Sequence, residues 1–206
     1  NSERFAVTHP EPSQAFDGVL ISNPDFAVEA IPLNHFGVSL GYIVRESQRE
    51  NLCKERMAEL NLKPGRWVGQ LTKTEDPDVE IDTGNGLFSV GSLRSQLMVK
   101  SDGQSFAYLT DFLLCQQAHQ TLSQKLEGID HLLCEAQYRH SDHDLAVKNF
   151  HSTTLLVAGL ARDANVGELT LFHVSDRYDR DEWGQMLSEA KAVFPNTKFP
   201  SHWDLG

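Results

Sequence analysis

The chain has 206 residues, 40% of them hydrophobic, which is enough for one sizeable core and makes a single domain the expectation. Its 29 acidic and 18 basic residues give a formal net charge of −11, which excludes a general electrostatic grip on nucleic acid or an anionic membrane and leaves only a local basic patch for that purpose. No apolar run approaches the ~20 residues of a membrane span, and no signal peptide is expected at the start. Cys53, Cys115 and Cys134 are scattered, without a CxxC pair; neither a disulfide framework nor a cysteine zinc site is expected, and a reducing cytoplasm is the simplest setting. The chain opens on Asn1 rather than methionine, so sequence upstream of it is also expected.

In chain order, residues 1–25 hold three of the eight prolines and read as irregular, with an edge strand around Phe16 to Ser22. Phe26 to Leu33 and Val38 to Arg45 are rich in β-branched and aromatic residues and read as strands, separated by a turn that contains His35. Glu50 to Leu62 has the spacing of a helix ended by Pro64 and Gly65. Arg45, Arg49, Lys54, Arg56, Lys63, Arg66 and Lys73 make this the most basic part of the chain, although a solvated helix face explains the charges about as well. Residues 74–91 read as a turn-rich connection between short strands. Leu97 to Lys100 and Ser105 to Leu109 read as a hairpin around Ser101, Asp102 and Gly103, and the second strand ends at Asp111. A helix is predicted over Gln117 to Leu126, and a short strand over Asp130 to Cys134 delivers Glu135. His151 and Ser152 precede a helix over Thr153 to Asn165, Leu169 to Phe172 is a strand running into His173, and Asp181 to Val193 is the last helix. This alternation of strands and helices predicts a layered α/β fold.

His35, Asp111, Glu135, His151 and His173 all follow predicted strands or precede a helix, where such folds carry their chemistry. Histidine nitrogens and carboxylate oxygens are natural ligands of zinc and similar ions, and a carboxylate can bridge two of them to serve a phosphoryl displacement. From spacing alone the alternative stays open that Asp111 caps the region before the Gln117 helix and that the histidines are satisfied polar residues.

Five segments together resemble the second half of ribonuclease Z, a metallo-β-lactamase-fold phosphodiesterase that removes the 3′ trailer of precursor tRNA. They are IPLNHFGVSLGYIV (Ile31 to Val44), KPGRWVGQL (Lys63 to Leu71), FAYLTDF (Phe106 to Phe112), DHLLCEAQY with NFHSTT (Asp130 to Tyr138 and Asn149 to Thr154), and LFHVSDRY (Leu171 to Tyr178). The resemblance implies the carboxyl-terminal portion of a metallo-β-lactamase-like αββα sandwich, one partial domain over 1–206, with a substrate-arm insertion at 46–73. It also implies two divalent metal ions, zinc expected and manganese or iron as alternatives, with His35, Asp111 and His173 as ligands and Asp111 bridging. His151 would protonate the leaving oxygen after attack by metal-activated hydroxide, Glu135 would orient His151 and fix its tautomer, and Arg177 would lie near the phosphate. Precursor tRNA is the implied substrate and a homodimer the implied assembly.

The departures from the family pattern bear on the same site. The family's His-x-His-x-Asp-His motif is absent, and His140 to Asp144 has the wrong spacing to replace it. Gly-Asp-Thr appears as Thr110, Asp111, Phe112, and His-Glu-Ala-Thr as Cys134, Glu135, Ala136, Gln137. These changes keep open a phosphodiesterase acting on a small or cyclic nucleotide, and a non-catalytic binding domain on the same scaffold.

Overall fold

The computed structural model describes residues 17–203. The first part of the sequence-predicted edge strand, Phe16, lies outside the described residues. Two compact units form, one from residues 17–45 and 105–203 and the other from 46–104.

The first unit is built on a seven-stranded sheet. Its strands are β1 (Val19–Ser22), β2 (Phe26–Asn34), β3 (Val38–Glu46), β8 (Ser105–Leu109), β9 (His131–Glu135), β10 (Glu168–Phe172) and β11 (Thr197–Lys198), in that spatial order. β3 runs antiparallel to β8, pairing Tyr42 with Tyr108 and Arg45 with Ser105, whereas β8, β9, β10 and β11 run parallel to one another. The carboxyl ends of β8, β9 and β10 therefore point the same way. Because β3 is antiparallel to β8, the β2–β3 turn that carries His35 lies at that same edge.

Alternation along these strands sends one set of side chains into the core. Ala107 and Leu109 of β8, Leu132 and Cys134 of β9, and Leu169 and Leu171 of β10 are buried with helices α4 (Gln116–Lys125), α5 (His143–Lys148), α6 (Thr154–Asp163) and α7 (Arg180–Val193). α6 contributes Val157, Ala158, Leu160 and Ala161, the small residues letting the helix lie close, and α7 contributes Met186 and Ala190. Each large aliphatic side chain buried this way contributes about 1.5–3 kcal/mol. α7 begins at a reciprocal cap, in which Asp179 accepts from Glu182 N and the Glu182 carboxylate accepts from Asp179 N. On the opposite face Leu40 and Phe106 stay exposed.

The second unit has its own core of Met57, Leu62, Trp67, Leu71, Ile81, Val90, Leu93 and Leu97. It contains β4 (Arg49–Leu52), α1 (Lys54–Glu59), α2 (Arg66–Lys73), β5 (Glu80–Asp82), β6 (Leu87–Ser89), α3 (Val90–Leu97) and β7 (Met98–Ser101). Two sequence expectations are corrected here. The region expected as one helix over Glu50 to Leu62 begins as strand β4, and only Lys54–Glu59 is helical. The expected hairpin does not form: β7 pairs with β4, Leu52 opposite Met98, while β8 joins the large sheet. Gly103 serves close packing instead, since a Cβ there would collide with the Glu46 carbonyl. This unit extends to Gln104, well past the expected 46–73 insertion. The helical segments α2 and α3 had no sequence prediction. No helix among the described residues is long and apolar enough to cross a membrane.

Candidate active site

β8 ends at Leu109, and two residues later Asp111 turns out of the sheet with φ 54°. β10 ends at Phe172, and His173 follows with φ 56°. Phe150, immediately before His151, has φ 57°. Of the five non-glycine residues with positive φ among the described residues, Asn61, Asp111, Phe150, Asn165 and His173, three thus lie at or beside this edge. Such backbone costs on the order of 1–3 kcal/mol per residue and persists where surroundings impose it, a pattern that marks functional sites.

These loops bring Asp111, His151 and His173 together, each offering a ligand atom within 4.8 Å of the others. His173 Nδ1 is 2.9 Å from Asp111 Oδ1, yet the alignment is not that of a hydrogen bond, and this buried nitrogen has no hydrogen-bond partner. Two electron-rich atoms that close, without a hydrogen bond between them, fit joint coordination of a cation. An imidazole–carboxylate set suits zinc or another borderline divalent ion.

Glu135 lies behind this group, completely buried at the end of β9. His151 Nδ1 approaches Glu135 Oε2 at 2.9 Å and Oε1 at 3.1 Å. A carboxylate can only accept here, so Nδ1 donates to it. Phe112 N donates to Glu135 Oε1 at 2.5 Å and Ser152 N to Oε2 at 3.5 Å. The carboxylate is buried but its oxygens are engaged, as burial of a charge requires.

His35 stands beside this set, its ring 4.8 Å from that of His151 between centroids. Its Nδ1 is 3.0 Å from Phe150 O, so Nδ1 donates and Nε2 holds the lone pair. His35 is not among the three residues whose ligand atoms lie within 4.8 Å of one another; His151 is. Arg177 is exposed, 3.9 Å from the Asp142 carboxylate and 5.9 Å from the Tyr138 and Tyr178 ring centroids. The Tyr138 ring beneath it is 6.2 Å from that of His151. Tyr178 donates to Asp142 and accepts from Arg139 N at 3.2 Å; burial first, then Asp142, pushes its phenol up to about 12. His140 faces Thr153 Oγ1 at 3.1 Å and His143 is exposed, so neither joins the cluster.

Two participants were assigned no role from the sequence. Gln137 Nε2 lies 3.4 Å from His173 Nε2, so one departure from the family pattern touches a candidate ligand. Ser152 is fully buried and bonds the loop that carries Asp111. The adjacency of Ser152 to His151 was visible in the sequence, but nothing there indicated its partners.

No family model matches the chain. Among curated proteins, it is 38% identical over 204 residues to ribonuclease Z of Deinococcus radiodurans, covering 99% of this chain and 61% of that protein. It is 33% identical over 187 residues to ribonuclease Z of a Nostoc species, covering 87% of this chain and 54% of that protein. The chain thus spans a little over half the length of the curated relatives it matches. Among solved structures, the metallo-β-lactamase fold protein YhfI of Bacillus subtilis aligns with TM-score 0.52 and 15% identity, over 89% of this chain and 49% of that one. That likeness concerns the fold.

Proposed function

We propose, from a chain that is ribonuclease Z-like in sequence and metallo-β-lactamase-like in fold, that it is the carboxyl-terminal portion of a metal-dependent phosphodiesterase. Its substrate in this reading is the 3′ end of precursor tRNA. The convergence of Asp111, His151 and His173 at one sheet edge, with Glu135 behind His151, is the observation that carries the reading.

Asp111 and His173 would hold the divalent metal, zinc being the expected ion, and His35, whose Nε2 is free of the Phe150 contact, would join them. Bound divalent cations would supply charge stabilisation for the phosphoryl displacement and lower the pKa of attacking water. His151 faces the scissile phosphodiester through Nε2 and, as the imidazolium with Glu135 on its Nδ1–H, passes the Nε2 proton to the departing 3′ oxygen. Glu135 holds the opposite nitrogen, so the ring presents one edge throughout; this fixes orientation without a rearrangement during the reaction. Arg177 leaves Asp142 to contact the phosphate, a planar donor suited to two of its oxygens. The unit at 46–104 engages the RNA through the exposed Lys54, Arg56, Lys63 and Arg66. Trp67 of PGRW is buried and donates to Lys63 O at 2.9 Å, so its part is to shape that element.

The test compares the native full-length protein on precursor tRNA and on bis(4-nitrophenyl) phosphate, with metal content measured by mass spectrometry. Release of the 3′ trailer at one site is the expected result. Cleavage of the small ester alone would remove tRNA and leave a phosphodiesterase acting on a small or cyclic nucleotide. Metal below about a tenth of an equivalent per chain, with neither substrate cleaved, would leave a binding scaffold.

A further inference from the structure

The left-handed backbone at Asp111 needs something to impose it, and the peptide groups around it supply a row of fixed bonds. Ser39 Oγ donates to Asp111 O at 2.7 Å. Ser152 Oγ donates to Phe112 O at 2.7 Å and accepts from Leu114 N at 3.2 Å. Leu113 N donates to Asn34 O at 2.8 Å. Of these partners, Ser152 is the one next in sequence to His151, and its hydroxyl uses both its donor and an acceptor on the Asp111 loop. Its own N–H points to the carboxylate that holds His151. The side chain is wholly enclosed, so no water can replace either bond.

We infer that Ser152 is a positioning residue: its buried hydroxyl locks the loop of Asp111 to the loop of His151 and thereby sets the convergence of the two side chains. The inference rests on the proposed metal-dependent site for what the converged groups do, but not for the locking itself. Alanine removes both bonds and leaves Phe112 O and Leu114 N buried without partners. Cysteine keeps the volume but bonds weakly at both points.

Ser105 gives a matched control. It is nearly as buried, and its hydroxyl also bridges two segments, donating to Asp130 Oδ2 at 2.7 Å and accepting from Asp130 N at 3.0 Å, but at the opposite end of β8. The experiment makes Ser152→Ala, Ser152→Cys and Ser105→Ala in the full-length protein. Melting temperature, zinc affinity by chelator competition, and the Asp111 HN–Hα coupling and Cα shift without metal are then measured. The expected result is that Ser105→Ala and Ser152→Ala both lower the melting temperature. Only the Ser152 variants shift the Asp111 backbone signals, and they weaken zinc binding about 10–100-fold, as loss of an outer-shell partner does. If Ser152→Ala does not fold, Ser152→Cys is read in the same way. Unchanged Asp111 signals in a folded Ser152 variant would overturn the inference. Failure of the wild type to bind zinc would sink the proposed function instead, while the backbone signals still decide the role of Ser152.

Discussion

At the amino ends of β8, β9 and β10, acidic and imidazole groups are closed into local pairs, whereas at the carboxyl ends the same types of group face one another. Asp130 accepts from both Ser105 N and Ser105 Oγ at 2.7 Å. Glu168 takes Lys198 Nζ at 2.7 Å and His131 Nδ1 at 3.2 Å. The Ser105 hydroxyl holds the Asp130 carboxyl below its ordinary value, and Lys198 does so for Glu168. Across the sheet, His173 Nδ1 approaches Asp111 Oδ1 without an aligned bond and Asp111 holds a costly backbone conformation. Residue type therefore does not separate structural from chemical groups in this sheet. What sets the carboxyl end apart is the close approach of His173 Nδ1 to Asp111 Oδ1 without a bond between them, beside groups such as Glu135 and His151 that are bonded.

The sharpest way to break this contrast is to delete one group at the carboxyl end. Asp111→Ala is expected to lose bound metal beyond the ~10–100-fold cost of losing a supporting residue. His151→Ala is expected to keep metal and lose about 10²–10⁴-fold in turnover, the usual share of a proton-transferring side chain. Metal analysis beside phosphodiester hydrolysis checks both, and equal metal loss in the two variants would make His151 a ligand.

At the amino end the expected effects are on stability and on its pH dependence. Both lowered carboxyl groups add stability that is fully present above their ordinary values of 3.8 for Asp130 and 4.5 for Glu168, and it is lost as pH falls through the lowered folded-state values. Ser105→Ala should cost about 1 kcal/mol near neutral pH, solvent screening at Asp130 included. It should also flatten the fall in melting temperature as pH drops below about 4, read by thermal melts on either side of that value. An unaltered acid slope would remove Ser105 as the cause. The smallest effect is assigned to Lys198→Ala, under about 1 kcal/mol by denaturant unfolding, because the lysine is half exposed. A larger loss would mean that this edge is not merely a solvated pair.

Much of this arrangement was legible in the sequence. Runs such as Leu169 to Phe172 stop at polar turns, and such turns place His35, Asp111, Glu135 and His173 at strand ends without reference to tertiary contacts. The link between Glu135 and His151 was implied by the family resemblance and has a counterpart in their 2.9 Å contact. The second unit was read less well. RWVGQLTK forms one short helix whose buried Trp67 and Leu71, four residues apart, pack in a core drawn from distant segments; the apolar spacing is there, but over only eight residues. Leu97 to Lys100 looked like the first arm of a hairpin because Ser101, Asp102 and Gly103 suit a turn, but the pairing of β7 was decided by β4, about fifty residues earlier in the chain. The partners of Ser152 and Gln137 were hidden for a related reason: they are fixed only once separate loops meet.

The outer strand β1 has a consequence for handling the protein. Val19, Leu20 and Ile21 are all exposed, and the strand has a neighbour on one side only among the described residues. A bare apolar edge of this kind templates pairing with another chain, and it has no charged residue or proline within its four positions to discourage that. Self-association that grows with concentration is therefore expected of preparations of these 206 residues, and a lysine at Leu20 is the economical remedy.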